Sequence, residues 1–339
     1  MSVRKFFVTS VFFILLLASA VQVRGQVHSS TAYKYLLRER DLRDHIDFLT
    51  APERGGRAAG TSHNKEIADF IAKEFESYGL IPFKGAGFVQ QFNITAPNRK
   101  SNVHSQGKPL VQGPQNLDGY NVAGYVPAKT KDAGYIVVGA HFDHIGSFGD
   151  KYYPGADDNA SGVAALLELA EAFAKRYRDK NDLRHNFVFV AFDGNNHNMQ
   201  GSKAFLARKG IPAGKIDCMV NIDQIGSNLS PVGDFDEYIL VLGADKLTRW
   251  QKDQLNFAND YFKLGLCIDY TYYGSQQFYD IFYRLSDQQT FTAQGIPALL
   301  FTSGITKHTN KVSDTLETLS LDLLLKRIEL IYRFLWLID

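Results

Sequence analysis

Apolar residues recur every three or four positions in four segments of the chain, which is the spacing of an α-helix with one buried face. In the first segment, Ile67, Ile71 and Phe75 fall on one stripe, and Gly79 follows as a residue suited to end a helix. The four segments cover residues 64–78, 162–178, about 245–262 and about 321–337. We therefore predict four helices, each packing one face on a core.

Four other segments are short and continuously apolar, without the alternation of a half-buried strand. They are Tyr135–Ala140, Phe187–Phe192, Ile216–Ile222 and Ala298–Phe301. Strands of a parallel sheet that is covered by helices on both faces have this composition. Strands and helices that alternate in this way predict an α/β fold with a mostly parallel sheet.

Polar side chains follow each of these predicted strands. His141 and Asp143 come after the first, residues 193–196 after the second, Asp223 after the third, and His308 a short loop beyond the fourth. In open α/β sheets, ligand sites form in the crevice outside the carboxyl ends of the strands. One such residue is usually a turn residue or a cap, but four ends together favour a site.

The loop Gly155–Gly162 stands between the first predicted strand and its helix, and reads GADDNASG. It delivers Asp157 to the end of the strand that carries His141. Imidazole and carboxylate groups suit zinc, and a carboxylate can bridge two zinc ions. The same loop is also typical of a polar turn with a helix N-cap, and the residue types alone leave both interpretations open.

Composition narrows the class of protein. An apolar fraction of 45% is that of a globular chain, and a net charge of +1 argues against nucleic acid or an anionic membrane as the main partner. Cys218 and Cys267 are the two cysteines, and they are compatible with a disulfide or with two free thiols.

The N-terminus has the pattern of a secretory signal peptide. Arg4 and Lys5 precede an apolar stretch from Phe6 to Ala20, which ends in small residues. An uncleaved membrane anchor is the alternative, but the apolar run is short for a membrane span. We predict a signal peptide over residues 1–25, a single domain over 26–339, export to the periplasm or the extracellular space, and no membrane contact after cleavage.

Several longer stretches resemble the secreted zinc aminopeptidase family, which includes bacterial leucyl aminopeptidases, glutamate carboxypeptidase-type enzymes and glutaminyl cyclases. The resemblance covers about residues 40–335. It implies a three-layer sandwich in which helices flank a central, mostly parallel but mixed sheet, the zinc aminopeptidase or phosphorylase/hydrolase-like fold. The stretches are AHFDHIG (140–146), PGADDNASGVAALLELA (154–170), FVAFDG (189–194), NIDQIG (221–226) and SDQQTF (286–291).

The resemblance also implies roles for individual residues. His141 and Asp223 bind the first zinc, Asp157 bridges both metals, and His308 binds the second. Asp143 accepts the other N–H of the His141 ring and thereby fixes its tautomer, a role that metal-binding histidines commonly require of a neighbour.

The sequence departs from the family pattern at the second strand end. The family has two adjacent glutamates, a general base and a ligand of the second zinc, where this chain has Asn195 and Asn196. An amide has no pKa in the working range, so Asn195 cannot exchange a proton, and Asn196 offers only a weak, neutral oxygen ligand. His197 is a candidate substitute base, although its position is more typical of a surface residue. Gln288 stands where the family has a histidine.

These departures predict a degenerate peptidase with reduced or no hydrolytic activity, which binds one zinc at His141, Asp157 and Asp223 and has an impaired second site. Its cleft then binds a peptide or a small molecule. The alternatives are an active metal-dependent exopeptidase that releases N-terminal residues, and a glutaminyl cyclase-like acyltransferase. Fold alone does not decide among them, because function depends on the site.

Overall fold

A mixed sheet of nine strands forms the centre of the fold. The structure is a computed structural model that describes residues 39–96, 100–105, 108–111, 115–208 and 210–339, so the predicted signal peptide lies outside the described residues. The strands are β1 (Ile81–Pro82), β2 (Val89–Ala96), β3 (Lys100–Ser105), β4 (Lys108–Val111), β5 (Gln115–Val126), β6 (Tyr135–His141), β7 (Gly146–Phe148), β8 (Lys151–Tyr153), β9 (Asn186–Phe192), β10 (Ile216–Ile222), β11 (Tyr238–Leu242), β12 (Cys267–Asp269) and β13 (Ala298–Thr302).

The order of strands in this sheet is β1-β5-β9-β6-β10-β13-β11-β12, with β2 also paired to β5. The four strands expected from the sequence are β6, β9, β10 and β13, and they are neighbours that run parallel to one another. Antiparallel strands adjoin this block on both sides, β5 beside β9 and β11 beside β13. The prediction of a mostly parallel but mixed sheet is confirmed.

Helices cover both faces of the sheet. They are α1 (Glu39–Thr50), α2 (Ser62–Tyr78), α3 (Gly162–Lys180), α4 (Gln200–Ala207), α5 (Arg249–Tyr261), α6 (Gln276–Phe282), α7 (Gln288–Thr292) and α8 (Leu321–Ile338). The four helices expected from periodicity are α2, α3, α5 and α8, and their bounds differ from the expected ones by a few residues. Thr61 caps α2 by accepting a hydrogen bond from the backbone N–H of Asn64, and Gly79 ends the helix with a φ of 81°.

The parallel strands are buried because alternate side chains enter two separate cores. On one face, Phe187 stacks on Phe173 of α3 with ring centroids 4.1 Å apart. On the other face, Val137 and Met219 belong to a cluster with Phe205 of α4 and Phe291 of α7. The result is the three-layer sandwich that the sequence predicts.

The structure also bears on membrane-spanning helices and on the two cysteines. Within the described part of the chain, no helix has the length and apolar character needed to cross a membrane. Cys218 is buried and Cys267 is half-buried, and both are free thiols, so the two are not joined as a disulfide.

Candidate metal centre

Three side chains that can bind a metal meet at the carboxyl ends of the central strands. His141 ends β6, Asp223 directly follows β10, and Asp158 comes from the loop between β8 and α3. One ligand atom from each lies within 4.8 Å of the others, and this is the one group of its kind among the described residues. The chain leaves β6 for β9 on one side and reaches β10 on the other, so the group lies where the strand order reverses.

The spacing of the ligand atoms fits a zinc ion. The Nε2 atom of His141 is 3.4 Å from Oδ1 of Asp158 and 3.5 Å from Oδ1 of Asp223. Ligands held about 2.0–2.1 Å from a tetrahedral zinc ion lie about 3.3 Å from one another. One imidazole and two carboxylates therefore form an open three-ligand set that matches zinc in both chemistry and size.

A hydrogen bond orients the His141 ring for this role. Its Nδ1 atom lies 3.1 Å from the backbone oxygen of Asp143, so Nδ1–H donates to that carbonyl and Nε2 keeps a lone pair that faces the two carboxylates. The Asp143 carboxylate is farther away, with Oδ1 3.8 Å from Nδ1. Its oxygens accept the backbone N–H groups of Asn195, at 2.9 Å, and Asn196, at 3.2 Å. Asp143 thus orients the ring through its main chain, while its carboxylate holds the turn after β9.

The charges of the two carboxylates also favour binding of a cation by the group. Burial lowers the pKa of His141, but the charges of Asp223 and Asp158 and their hydrogen bonds outweigh burial and raise it well above its ordinary value. Burial raises the pKa of Asp158, whereas the hydrogen bond from His141 and the positive charges nearby lower it below its ordinary range. The two carboxylates therefore favour positive charge at Nε2, where a proton and a divalent ion compete.

The structure places Asp157 elsewhere, which corrects its assignment as a bridging ligand. The Oδ1 atom of Asp157 accepts hydrogen bonds from the backbone N–H of Gly226 at 2.7 Å and from Oγ of Ser161 at 3.3 Å. Burial and the nearby charge of Asp314 raise the pKa of Asp157 to about 7. Asp157 therefore fastens its loop to the segment after β10, while the next residue, Asp158, presents its carboxylate to His141.

His308 does not join the group, whereas Asn196 lines the same cavity as the group. His308 lies on the loop after β13, where its Nδ1 atom is 2.9 Å from Oγ of Ser313. Asn196 is exposed and lines the cavity described below together with His141, Asp158 and Asp223. The structure therefore brings Asn196, but not His308, to the cavity that the metal group borders.

Asn195 pairs with a buried acid that the sequence analysis did not single out. Its Nδ2 donates to Oδ2 of Asp287 at 3.0 Å, and Asp287 is fully buried at the start of α7. Since a carboxylate only accepts hydrogen bonds, this contact assigns the amide orientation and leaves Oδ1 of Asn195 as the atom free to accept from a ligand. Burial raises the pKa of Asp287 to about 6, while the positive charge of His141 opposes that rise.

A cavity of about 320 Å³ opens onto the metal group. Its polar lining includes the group itself with Asn195, Asn196 and Gln224, and its apolar lining, which we call the apolar wall, consists of Tyr272, Phe282, Leu285, Leu300 and Ile305. Asp158 and Asp223 are the acidic residues among those that line it. Ligand pockets commonly have this size and this mixture of an apolar wall with a few polar groups.

Buried polar residues outside the cavity hold the ligand loops in place. The guanidinium of Arg57 is fully buried and donates to the backbone oxygens of Phe142, Leu49, Pro154 and Gly155 at 2.5–3.0 Å. It therefore ties the segment after His141 to the loop that carries Asp158. No periodic pattern points to this role, because the four acceptors are main-chain atoms spread over about a hundred residues of sequence.

Replacing Arg57 with Met should lower the free energy of unfolding by about 3–5 kcal/mol, because four buried carbonyls lose their donor. Chemical denaturation of metal-free protein measures this change. Arg40→Met is the control, since the exposed pair of Arg40 with Asp44, 3.6 Å apart, contributes about 0.5 kcal/mol or less. Equal effects of the two substitutions would contradict the role given to Arg57.

Comparison with known proteins places the chain in a family of metallopeptidases. The profile of peptidase family M28 matches residues 121–335, more than half of the chain. The chain belongs to this family, which is zinc-dependent. It is 33% identical to a probable zinc metalloprotease of Pyrenophora tritici-repentis over 107 residues, which is 31% of this chain and 24% of that protein. The chain thus spans about a quarter of the length of the curated relatives that it matches first.

Solved structures agree on the fold. An aminopeptidase from Aneurinibacillus sp. strain AM-1 superposes with a TM-score of 0.68 at 17% identity, over 89% of this chain and 94% of that one. The glutaminyl cyclase of Porphyromonas gingivalis superposes with a TM-score of 0.63 at 16% identity, over 88% and 98%. The resemblance to zinc aminopeptidases and glutaminyl cyclases is confirmed at the level of the fold.

Proposed function

We propose that this protein binds one zinc ion and a peptide in the cavity, and hydrolyses peptides poorly or not at all. The observation that carries the proposal is the identity of residues 195 and 196 beside the metal group. Both are asparagines, and the acids that line the cavity, Asp158 and Asp223, already belong to the metal set. No lining carboxylate of the described chain remains to take a proton from water and return it to a leaving amine.

His141, Asp158 and Asp223 hold the zinc ion in this proposal. Bound zinc polarises a carbonyl and lowers the pKa of water in the open position. The residues around it position a ligand: Asn195 accepts a hydrogen bond through Oδ1, and the apolar wall excludes water. An active exopeptidase and a glutaminyl cyclase-like acyltransferase are the competing functions, and both call for an acidic group at position 195.

Metal-free protein titrated calorimetrically with zinc should bind one equivalent tightly, because one three-ligand set is assembled. His141→Ala should abolish this equivalent. His308→Ala is the matched control and should retain it, since His308 bonds Ser313 outside the group. Two equivalents of similar affinity, or equal losses in the two variants, would refute the one-zinc assignment.

A further inference from the structure

Helix α6 presents apolar side chains to solvent instead of to a core. Phe278 is 54% exposed, Ile281 53% and Leu285, one turn beyond the helix, 59%, and α6 contains no buried residue. Ile305, on the loop after β13, is 46% exposed. We call these four residues, Phe278, Ile281, Leu285 and Ile305, the apolar rim. A cluster of large exposed apolar side chains is typical of a binding surface.

The apolar rim is continuous with the wall of the cavity. Leu285 and Ile305 belong to both, and the ring of Phe278 lies 6.2 Å from that of Phe282, which lines the cavity. Phe282 in turn stacks on Tyr272, another lining residue, with centroids 4.2 Å apart. Ring contacts therefore link the exposed helix to the lining of the cavity that opens onto the metal group.

The other face of α6 is anchored, so the exposure of the apolar rim belongs to the folded state. The hydroxyl of Tyr279 donates to Oδ1 of Asp245 at 2.7 Å. The hydroxyl of Tyr283 donates to the backbone oxygen of Ala298 in β13 at 2.7 Å, and the two tyrosine rings stack. Because these contacts hold the helix in place, a ligand that binds the apolar rim does not have to order the helix first.

We propose that the apolar rim binds the apolar side chains of an extended polypeptide whose terminal residue occupies the cavity. This inference rests on the proposed function and adds the class of ligand: peptides of several residues with apolar side chains beyond the first, rather than amino acids or dipeptides. Each further residue of an extended peptide advances about 3.3–3.6 Å, so a few residues cover the distance along a helix of this length.

Charge and size disfavour other occupants. Helices that bind membrane surfaces are rich in lysine and arginine, whereas the charged residue within α6 is Asp280. Stable interfaces between protein copies use about 20–30 residues on each side, far more than the four of the apolar rim.

The test measures binding of two probes to the zinc-loaded full chain by calorimetry. Leucine amide reaches only the cavity, and an all-leucine hexapeptide reaches the apolar rim as well. The double variant Phe278→Ser/Ile281→Ser should weaken hexapeptide binding by about 10- to 100-fold and leave leucine amide binding unchanged, since neither residue lines the cavity. Trp250→Ser is the control, because Trp250 is 52% exposed on α5 and does not line the cavity.

The outcomes separate this proposal from the proposed function. Unchanged hexapeptide affinity in the double variant, or a hexapeptide that binds no better than leucine amide, overturns the role of the apolar rim alone. Failure of both probes to bind the unmodified protein overturns the proposed function and this inference together. Binding of the unmodified protein to neutral phosphatidylcholine vesicles, or dimers that the double variant abolishes, would assign the apolar rim to a membrane or to a second copy instead.

Discussion

Changing Asn195 and Asn196 to glutamate should raise the turnover number for aminoacyl chromogenic substrates by about 10²- to 10⁴-fold, the usual contribution of a general base. Position 195 borders the metal group and the cavity, so a carboxylate there reaches water beside the ion. Glutamate at position 196 supplies the charged oxygen that asparagine lacks, and strengthens zinc binding further. Steady-state kinetics of the zinc-loaded variants measures the gain.

The matched control is Asn195→Gln/Asn196→Gln, which has the size of the glutamate pair without its charge. A glutamate at 195 also stands beside Asp287, whose pKa is already raised to about 6 by burial. Two carboxylates in contact raise the pKa of one of them. We therefore expect the restored activity to rise with pH through an apparent pKa above the ordinary range of glutamate. Equal rates for the Glu and Gln double variants would show that residues 195 and 196 do not limit catalysis.

Asp158→Asn should weaken zinc binding by at least about 100-fold, because it removes the charge of one of three ligands. Loss of a residue that only supports a ligand already lowers metal affinity by about 10- to 100-fold, and loss of a ligand's charge should lower it more. Asp157→Asn should change zinc affinity by only a few fold, because the asparagine Oδ1 still accepts from the backbone N–H of Gly226. Competition with a chromogenic chelator measures both affinities. The two residues are adjacent and chemically identical, so each variant controls for the other. A larger loss for Asp157→Asn would restore the assignment made from the sequence.

The central sheet was predictable because the amino-acid composition of its strands reflects their burial. β6, β9, β10 and β13 are almost entirely buried and therefore largely apolar, although β10 includes Asp217 and Asn221. The antiparallel neighbours β5 and β11 were not predicted, although β11 reads YILVL. Hydrophobic periodicity carries no information about which strand pairs with which, or in which direction.

The sequence analysis names two members of the metal group, His141 and Asp223, but it names Asp157 where the structure has Asp158, and backbone conformation explains this difference. Asp157 and Asp158 are both acids in a polar loop, and the non-helical φ and ψ of Asp158, −108° and 86°, and of Asn159, −136° and 40°, decide which carboxylate turns to His141. Asp314 fixes that turn by accepting the backbone N–H groups of both aspartates, at 2.8 and 3.1 Å. Asp314 lies more than 150 residues away in sequence, so no local pattern reports this contact.

The contribution of Asp143 shows a second limit of sequence reasoning. The sequence predicts that Asp143 orients His141, and the ring is in fact held by the backbone oxygen of that residue. A side-chain motif identifies the neighbour but not the atom that makes the contact. The freed carboxylate of Asp143 bonds Asn195 and Asn196 instead, which joins the turn after β9 to the metal group.

Turnover by the unmodified, zinc-loaded protein tests the central claim most directly. Hydrolysis of a panel of aminoacyl and peptide substrates should give a turnover number of no more than about 0.1 s⁻¹, at least a hundredfold below the median of about 10 s⁻¹ for enzymes. The Asp158→Asn variant, purified in parallel, reports any activity that does not depend on the site. A turnover number near 10 s⁻¹ that is lost in Asp158→Asn would contradict the account and identify the protein as an active metallopeptidase.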